Sequence, residues 1–432
     1  MTLNILYNVI LHGVAAPVLA LYYLPKVIFG KKYRESLRGK LGRFDQSMRD
    51  CELPQPRVWF HAVSVGEVVA LTPLAEAMKE LMPDAGFVVS TGTETGQAKA
   101  KDAISWANLV LYMPLDFPAS LNPVLDLIRP DLFVLMETEL WPNLISGLKR
   151  RGAVIALANG RISDRSYPGY RRLRRFFGPL LENIDLMLMS SELDAERIRR
   201  MGAPAARVRV TGNTKFDAAL KDTPTEAEER IRRVLGIERG AAALVAGSTH
   251  PGENEIILAA YQRLSERFPG LILVIVPRHV EKTAQVLSLM TERGMEPPFL
   301  RSSADAGETR DGRRVIIVDR TGELFQVYSV ASVTFIGGSL VPKGGQNIVE
   351  PAAWGKVVLF GPSMEDFREA RDILERSGAG VEVRSVEDVV RRAAEFLSND
   401  ALRQRCGEAG KQALLQHRGS ARRCAELLTE LV

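Results

Sequence analysis

From residue 57 to the C-terminus, short wholly apolar runs alternate with longer amphipathic stretches. In the first half the runs fall at residues 57–60, 87–90, 109–113, 132–136, 154–158, 186–190 and 208–211. They lack the period-two alternation of a half-exposed strand, so each is predicted to be a strand covered on both faces. A parallel, doubly wound α/β sheet follows. Around Lys221-Asp222-Thr223-Pro224-Thr225 the apolar pattern lapses before an acidic helix, which predicts a linker. The pattern then restarts at residues 244–246, 271–276, 315–318, 333–336 and 357–360, giving a second Rossmann-like domain. The predicted organisation is residues 1–30 as an apolar N-terminal segment, 31–220 and 225–400 as the two domains, and 401–432 as a C-terminal helix packing back on the first.

Residues 3–29 are apolar apart from Asn4, Asn8, His12 and Lys26. A spanning helix needs ~20 apolar residues, so this stretch either crosses a bilayer or lies in its interface. It lacks the basic start and the cleavage site of a signal peptide. Lys26, Lys31, Lys32, Arg34, Arg38, Lys40 and Arg43 crowd behind it. The positive-inside rule then keeps the folded body on the cytoplasmic side, and the same cluster is suited to anionic headgroups. The segment is read as a membrane-anchor helix.

Composition narrows this picture only a little. At 432 residues, with 46% hydrophobic and 25% charged positions, the chain fits two globular domains and excludes large-scale disorder. The net charge of +5 is modest. Cys51, Cys406 and Cys424 form no C-x-x-C pair, the five histidines are scattered, and no Asp-x-Asp clamp occurs, so no metal site is expected.

Candidate chemistry sits where strands end. The strand at 57–60 runs into His61-Ala62-Val63-Ser64-Val65-Gly66-Glu67, which leaves Glu67 at the start of the next helix. An acid there suits the helix dipole alone, yet ligands of such sheets gather beyond the strand carboxyl ends, where a glutamate can act as a general base. The strand at 132–136 closes on Glu137, Thr138 and Glu139, with Trp141-Pro142 opening a helix. Two acid-tipped strands imply one shared cleft. In the second half, Gly337-Gly338-Ser339 and Gly344-Gly345-Gln346-Asn347 lead toward a helix near Ile348, a pattern expected to bring backbone N–H groups to a phosphate. Glu350, one turn further, is placed to accept hydrogen bonds from ribose hydroxyls. Pro277-Arg278 closes a strand where a guanidinium can pair with phosphate, and Thr321-Gly322-Glu323 opens another helix. The Ser248-Thr249-His250 loop is a weaker candidate of the same kind. Arg161, Arg165, Arg171, Arg172, Arg174 and Arg175 are interleaved with Tyr167, Tyr170, Phe176 and Phe177 and accompanied by one acid, Asp164. Such a strip suits nucleic acid or a phosphorylated lipid; the apolar N-terminus favours the lipid, and no nucleic-acid partner is expected.

The runs HAVSVGE (61–67), METELWPN (136–143), TGNTKFD (211–217), VPRH (276–279) and FIGGSLVPKGGQNIVEPAA (335–353) resemble, in order and spacing, the bacterial 3-deoxy-D-manno-oct-2-ulosonic acid (Kdo) transferases. That resemblance implies a GT-B architecture of two Rossmann-like domains facing a cleft. It implies an inverting, metal-independent transfer of Kdo from CMP-Kdo to the tetra-acylated lipid A precursor at the cytoplasmic face of the inner membrane, with no cofactor. Glu67 is then the general base, and Glu137 with Lys215 stabilises the transition state. Pro277, Arg278, Thr321, Gly322, Glu323, Asn347, Ile348, Val349 and Glu350 hold CMP, and the arginine strip faces acceptor and membrane lipids. Gln346 stands where most relatives carry histidine.

Two rivals carry their own tests. Ala62-Val63-Ser64-Val65-Gly66 approximates a serine-hydrolase elbow, which requires a histidine such as His279 or His417 and labelling by a fluorophosphonate. A membrane-tethered nucleotide sensor would bind CMP without turnover.

Overall fold

The computed structural model describes residues 7–9, 11–15, 34–220 and 223–432. The chain divides into two units, Met1–Ala218 with Gly419–Val432, and Ala219–Arg418. Each is built on a seven-stranded, wholly parallel sheet.

In unit 1 the strands are β1 (Arg57–His61), β2 (Gly86–Thr91), β3 (Leu109–Tyr112), β4 (Leu132–Met136), β5 (Val154–Gly160), β6 (Leu186–Met189) and β7 (Val208–Val210). Their order across the sheet is β3-β2-β1-β4-β5-β6-β7. Successive side chains of one strand enter opposite cores: Trp59, Phe133 and Ile155 join one apolar cluster, Val58, Phe60, Val134 and Ala156 the other. Both faces are covered, which is why these strands read as unbroken apolar runs. The order reverses between β1 and β4, so the crevice at their carboxyl ends is the topological switch point of the sheet.

Unit 2 repeats the plan with β8 (Ala243–Thr249), β9 (Ile272–Pro277), β10 (Phe299–Leu300), β11 (Val315–Ile317), β12 (Val333–Ile336), β13 (Val357–Phe360) and β14 (Gly380–Glu382). The order is β10-β11-β9-β8-β12-β13-β14, with the switch point between β8 and β12. The pattern of apolar runs misses β10 and β14. Both are edge strands of two or three residues, too short to give a hydrophobic run.

The C-terminal segment departs from the expected single helix packing back. It forms two helices, Asp400–Leu415 in unit 2 and Ser420–Thr429 in unit 1, and the division falls at Gly419, whose φ is 85°. The second buries Ala421, Cys424, Ala425 and Leu428 in the core of unit 1. Its first turn is capped across the chain by Asp217, which accepts the N–H groups of Gly419 (2.6 Å) and Ala421 (2.8 Å).

The expected anchor at residues 3–29 falls mostly outside the described residues, as do Lys221 and Asp222 of the expected linker. Among the described residues no helix is long and apolar enough to cross a membrane. The described part packs on unit 1: the Tyr7 hydroxyl donates to Asp116 Oδ2 (2.8 Å) and His12 meets the Phe117 ring edge-on at 5.1 Å. Asp116 also accepts the N–H groups of Asn143 (3.1 Å) and Leu144 (2.8 Å). It thereby caps the Pro142–Arg150 helix, whose Trp141 N-cap offers no side-chain bond of its own. This cap fixes the far end of the loop that carries Glu137 and Glu139.

Candidate active site

Unit 1 gathers acids at its switch point. Glu67 lies in the first turn of the Val65–Leu81 helix directly after β1 and is buried, 8% exposed. Its Oε2 accepts the Val63 N–H (2.8 Å) and its Oε1 the Ser64 hydroxyl (3.1 Å). These bonds tie the carboxylate to the residues just before the helix, while the Ser64 side chain makes no cap of its own. The capping role expected of a lone acid is therefore present, but the electrostatics add to it. Burial pushes the carboxyl up to about 7, the Val63 and Ser64 hydrogen bonds oppose that rise, and the nearby charges of Glu137 and Glu139 add to it. A carboxylate poised there can take a proton near neutral pH. Ser64 is engaged with Glu67 rather than with an imidazole, and the adjacent His61 is buried with Nδ1 against Ser90. Within unit 1 the hydrolase-elbow reading finds no support.

Glu137 ends β4 in the left-handed region, at φ 55°, an unusual conformation for a side-chain-bearing residue and one that concentrates at functional sites. Its carboxylate binds the Lys215 ammonium at 2.7 Å, and both side chains stay about a quarter exposed, 25% and 29%. The pair is thus reachable. Glu139, two residues on, accepts the Trp141 indole N–H (2.9 Å) and is raised by burial, with a further push from Glu137. The Tyr170 phenol, raised chiefly by burial and then by the Glu139 charge, ties the arginine strip to this group of acids.

The strip forms two short helices, Tyr167–Arg172 and Arg174–Leu181. Arg165, Arg171, Arg172, Arg174 and Arg175 are exposed, and Leu173 between them is 55% exposed. Arg161 is half-buried, and its carbonyl accepts the Thr138 hydroxyl. The acid of the strip, Asp164, pairs with Arg197 from the neighbouring Glu192–Arg200 helix.

In unit 2 several amides of the glycine loops are engaged within the protein. The N–H groups of Gly338 (2.7 Å), Ser339 (3.0 Å) and Leu340 (2.9 Å) all point at Glu253, a wholly buried carboxylate that also accepts the His250 N–H (3.0 Å). Gly344 N–H donates to Ser363 and Gly345 N–H to the Gly338 carbonyl. These five amides are occupied by the protein itself. The glycines serve close packing: a Cβ on Gly337 would lie 2.2 Å from the Ser248 carbonyl oxygen.

Glu350 lies in the five-residue Val349–Ala353 helix and accepts the Asn347 amide N–H at 3.0 Å, while Asn347 Oδ1 accepts the Val349 N–H at 3.1 Å. Burial pushes the Glu350 carboxyl up to about 7. Ile348 and Val349 turn their side chains into the core, leaving only their backbone to a ligand. Arg278 follows the buried Pro277 at the end of β9 and is exposed. His250 is lowered mainly by burial and also by the charges of His279, Arg278 and Lys343. Its Nε2 is buried without a partner, so this end of the sheet is basic with one unmet imidazole nitrogen. Thr321 and Gly322 are exposed, whereas the Glu323 carboxylate is held bidentately by Arg301 at 2.8 Å on each oxygen. Among the described residues no group of three or more histidine, cysteine, aspartate or glutamate side chains could hold a metal ion.

Sequence reasoning missed Glu253, Asp116 and Asn159. The first two reach loops far away in sequence, and Asn159 was read only as the residue after a strand.

The chain is similar to known proteins in both sequence and fold. The family model described as 3-deoxy-D-manno-octulosonic-acid transferase (kdotransferase) matches residues 35–218. The 3-deoxy-D-manno-octulosonic acid transferase of Haemophilus influenzae is 33% identical over 92% of this chain and 91% of its own length. That of Chlamydia pneumoniae is 32% identical over 94% and 91%. Among solved structures, a glycosyltransferase from Rickettsia africae superposes with a TM-score of 0.61 at 12% identity, covering 87% of this chain and 98% of the other. An Anabaena protein, HepE, solved with UDP and glucose, gives 0.59 at 14%, covering 87% and 100%. These structural matches bear on the fold, two parallel-sheet α/β units of the GT-B kind. The sequence matches decide the family: the chain belongs to the 3-deoxy-D-manno-octulosonic acid transferases and is a Kdo glycosyltransferase.

Proposed function

We propose that this enzyme transfers Kdo from CMP-Kdo to the tetra-acylated lipid A precursor with inversion, in lipopolysaccharide synthesis. The observation that carries the reading is Glu67, a buried carboxyl held at about 7 beside the Glu137–Lys215 pair. Ionised, Glu67 takes the proton from the attacking acceptor hydroxyl, and its own hydrogen bonds to Val63 and Ser64 fix its direction. Breaking the bond between Kdo and CMP releases a phosphate charge next to a sugar that already carries a carboxylate. The Lys215 ammonium stabilises that developing charge, and Glu137 stabilises the oxocarbenium character of the sugar as carboxylates do in glycoside hydrolysis. Inversion follows when the hydroxyl attacks opposite CMP.

In unit 2, Glu350 and Asn347 accept and donate hydrogen bonds to the ribose, while Arg278, with Thr321, Gly322 and Glu323 nearby in the sequence pattern, serves the cytidine phosphate. Glu323 does so only after sharing its carboxylate with Arg301. The exposed arginines and Leu173 support an acceptor and membrane-lipid surface. Together with the apolar residues 3–29 and the basic cluster behind them, they support a location at the cytoplasmic face of the inner membrane.

Mass spectrometry of the lipid formed from CMP-Kdo and a defined tetra-acylated acceptor tests the reading: a mass increase of one or more Kdo units is expected. Hydrolysis of CMP-Kdo with no lipid product would refute the acceptor.

A further inference from the structure

Two neighbouring strands of unit 1 each carry, at or just past the carboxyl end, a left-handed residue that is not glycine. Glu137 follows β4 at φ 55° and Asn159, within β5, stands at φ 52°. In the parallel register Met136 faces Ala158, and the Glu137 N–H donates to the Ala158 carbonyl at 3.0 Å. The two unusual residues therefore stand side by side. Non-glycine residues in this region are strained and persist where the surroundings hold them.

Asn159 has a definite use for its side chain. It is 1% exposed, and its Oδ1 accepts the N–H of Thr214 at 3.0 Å, the first residue of the Thr214–Ala219 helix. The next N–H, that of Lys215, is taken by Asn213 Oδ1 at 3.0 Å. The helix start is thus gripped by two asparagine oxygens, one local and one from the sheet. Lys215 then closes the ring by reaching back 2.7 Å to Glu137. The path Glu137, Ala158, Asn159, Thr214, Lys215, Glu137 is a closed circuit of bonded contacts.

We infer that Asn159 is a positioning residue for Lys215: its amide oxygen anchors the helix start that sets the ammonium against Glu137 and the reacting centre. The inference rests on the proposed role of Lys215. Without the anchor the helix start is free to shift, and a displacement of about 1 Å at a catalytic group can cost on the order of 10²-fold in rate. Binding of CMP involves groups of unit 2 and is untouched.

The circuit can be opened from either side. Asn159→Gly removes the acceptor while suiting the left-handed backbone. Thr214→Pro removes the donor at a first helical position, where proline is accepted. Each should lower kcat by ~10–100-fold, with the Kd for CMP within about twofold of the parent. Both should be nearly silent in a Lys215→Ala background, since a residue that works only through Lys215 has nothing left to place. Activity of Asn159→Gly and Thr214→Pro close to the parent, or losses that multiply fully with that of Lys215→Ala, would overturn the inference. If Lys215→Ala itself turns over normally, the catalytic reading of Lys215 fails first and takes the inference with it.

Discussion

Glu67 and Glu253 occupy the same place in two copies of one fold. Each is a buried acid in the first turn of the helix that follows the first strand of its unit, β1 or β8, at the switch point. Their partners differ. Glu253 accepts four backbone N–H groups from two loops, whereas Glu67 accepts one backbone N–H and one hydroxyl and has two further acids nearby. A carboxylate whose oxygens accept several backbone N–H groups holds loops together. One with few donors, buried near like charge, keeps its proton to near neutrality and is available for transfer. The contrast teaches that position on the sheet nominates a working residue, and the count of donors around it decides between scaffold and chemistry.

The largest effect that sharpens this comparison is on rate. Glu67→Gln should reduce kcat by ~10²–10⁴ with CMP affinity little changed. Glu253→Gln turns an acceptor into an NH₂ facing backbone N–H groups, so it should lower stability by on the order of 2–4 kcal/mol, read as a drop in Tm. Equal rate losses in two folded variants would erase the distinction. Next in size, Glu350→Gln should weaken CMP-Kdo binding by about 1–3 kcal/mol, seen as a rise in KM for donor with kcat nearly kept.

How much of this was legible beforehand varies with the range of the interaction. Apolar runs marked the interior strands because both faces are buried, and strand-end acids marked Glu67 and Glu137. The partner of the first glycine loop was not legible, since the Gly338, Ser339 and Leu340 N–H groups serve Glu253, a residue more than eighty positions away from those it holds. Asn159 and Asp116 act in the same non-local way, through a few hydrogen bonds that leave no periodic trace. The donor set that raises or saturates an acid is a property of loops brought together by topology, and only the strand ends themselves are written locally.

A smaller effect concerns stability and pH. The Glu67 carboxyl titrates near 7 when folded and at about 4.5 when free. A raised carboxyl adds stability that is complete below about 4.5 and is lost as pH climbs through about 7, because the folded form retains the proton longer. Glu67→Gln should accordingly be more stable than the parent at pH 8 by roughly 1–3 kcal/mol, read as a higher Tm, and the gain should shrink toward zero by about pH 5. A gain that is independent of pH would point to packing instead of charge.

The most direct test of Glu67 as the base is the pH dependence of kcat/KM for the lipid acceptor, measured at saturating donor so that Glu350 is already engaged. The rate should rise through an apparent pKa near 7 as Glu67 ionises and level off above it, and in Glu67→Gln the small residual rate should lose this limb. An ascending limb that survives unchanged in Glu67→Gln would contradict the account and assign the proton transfer to another group.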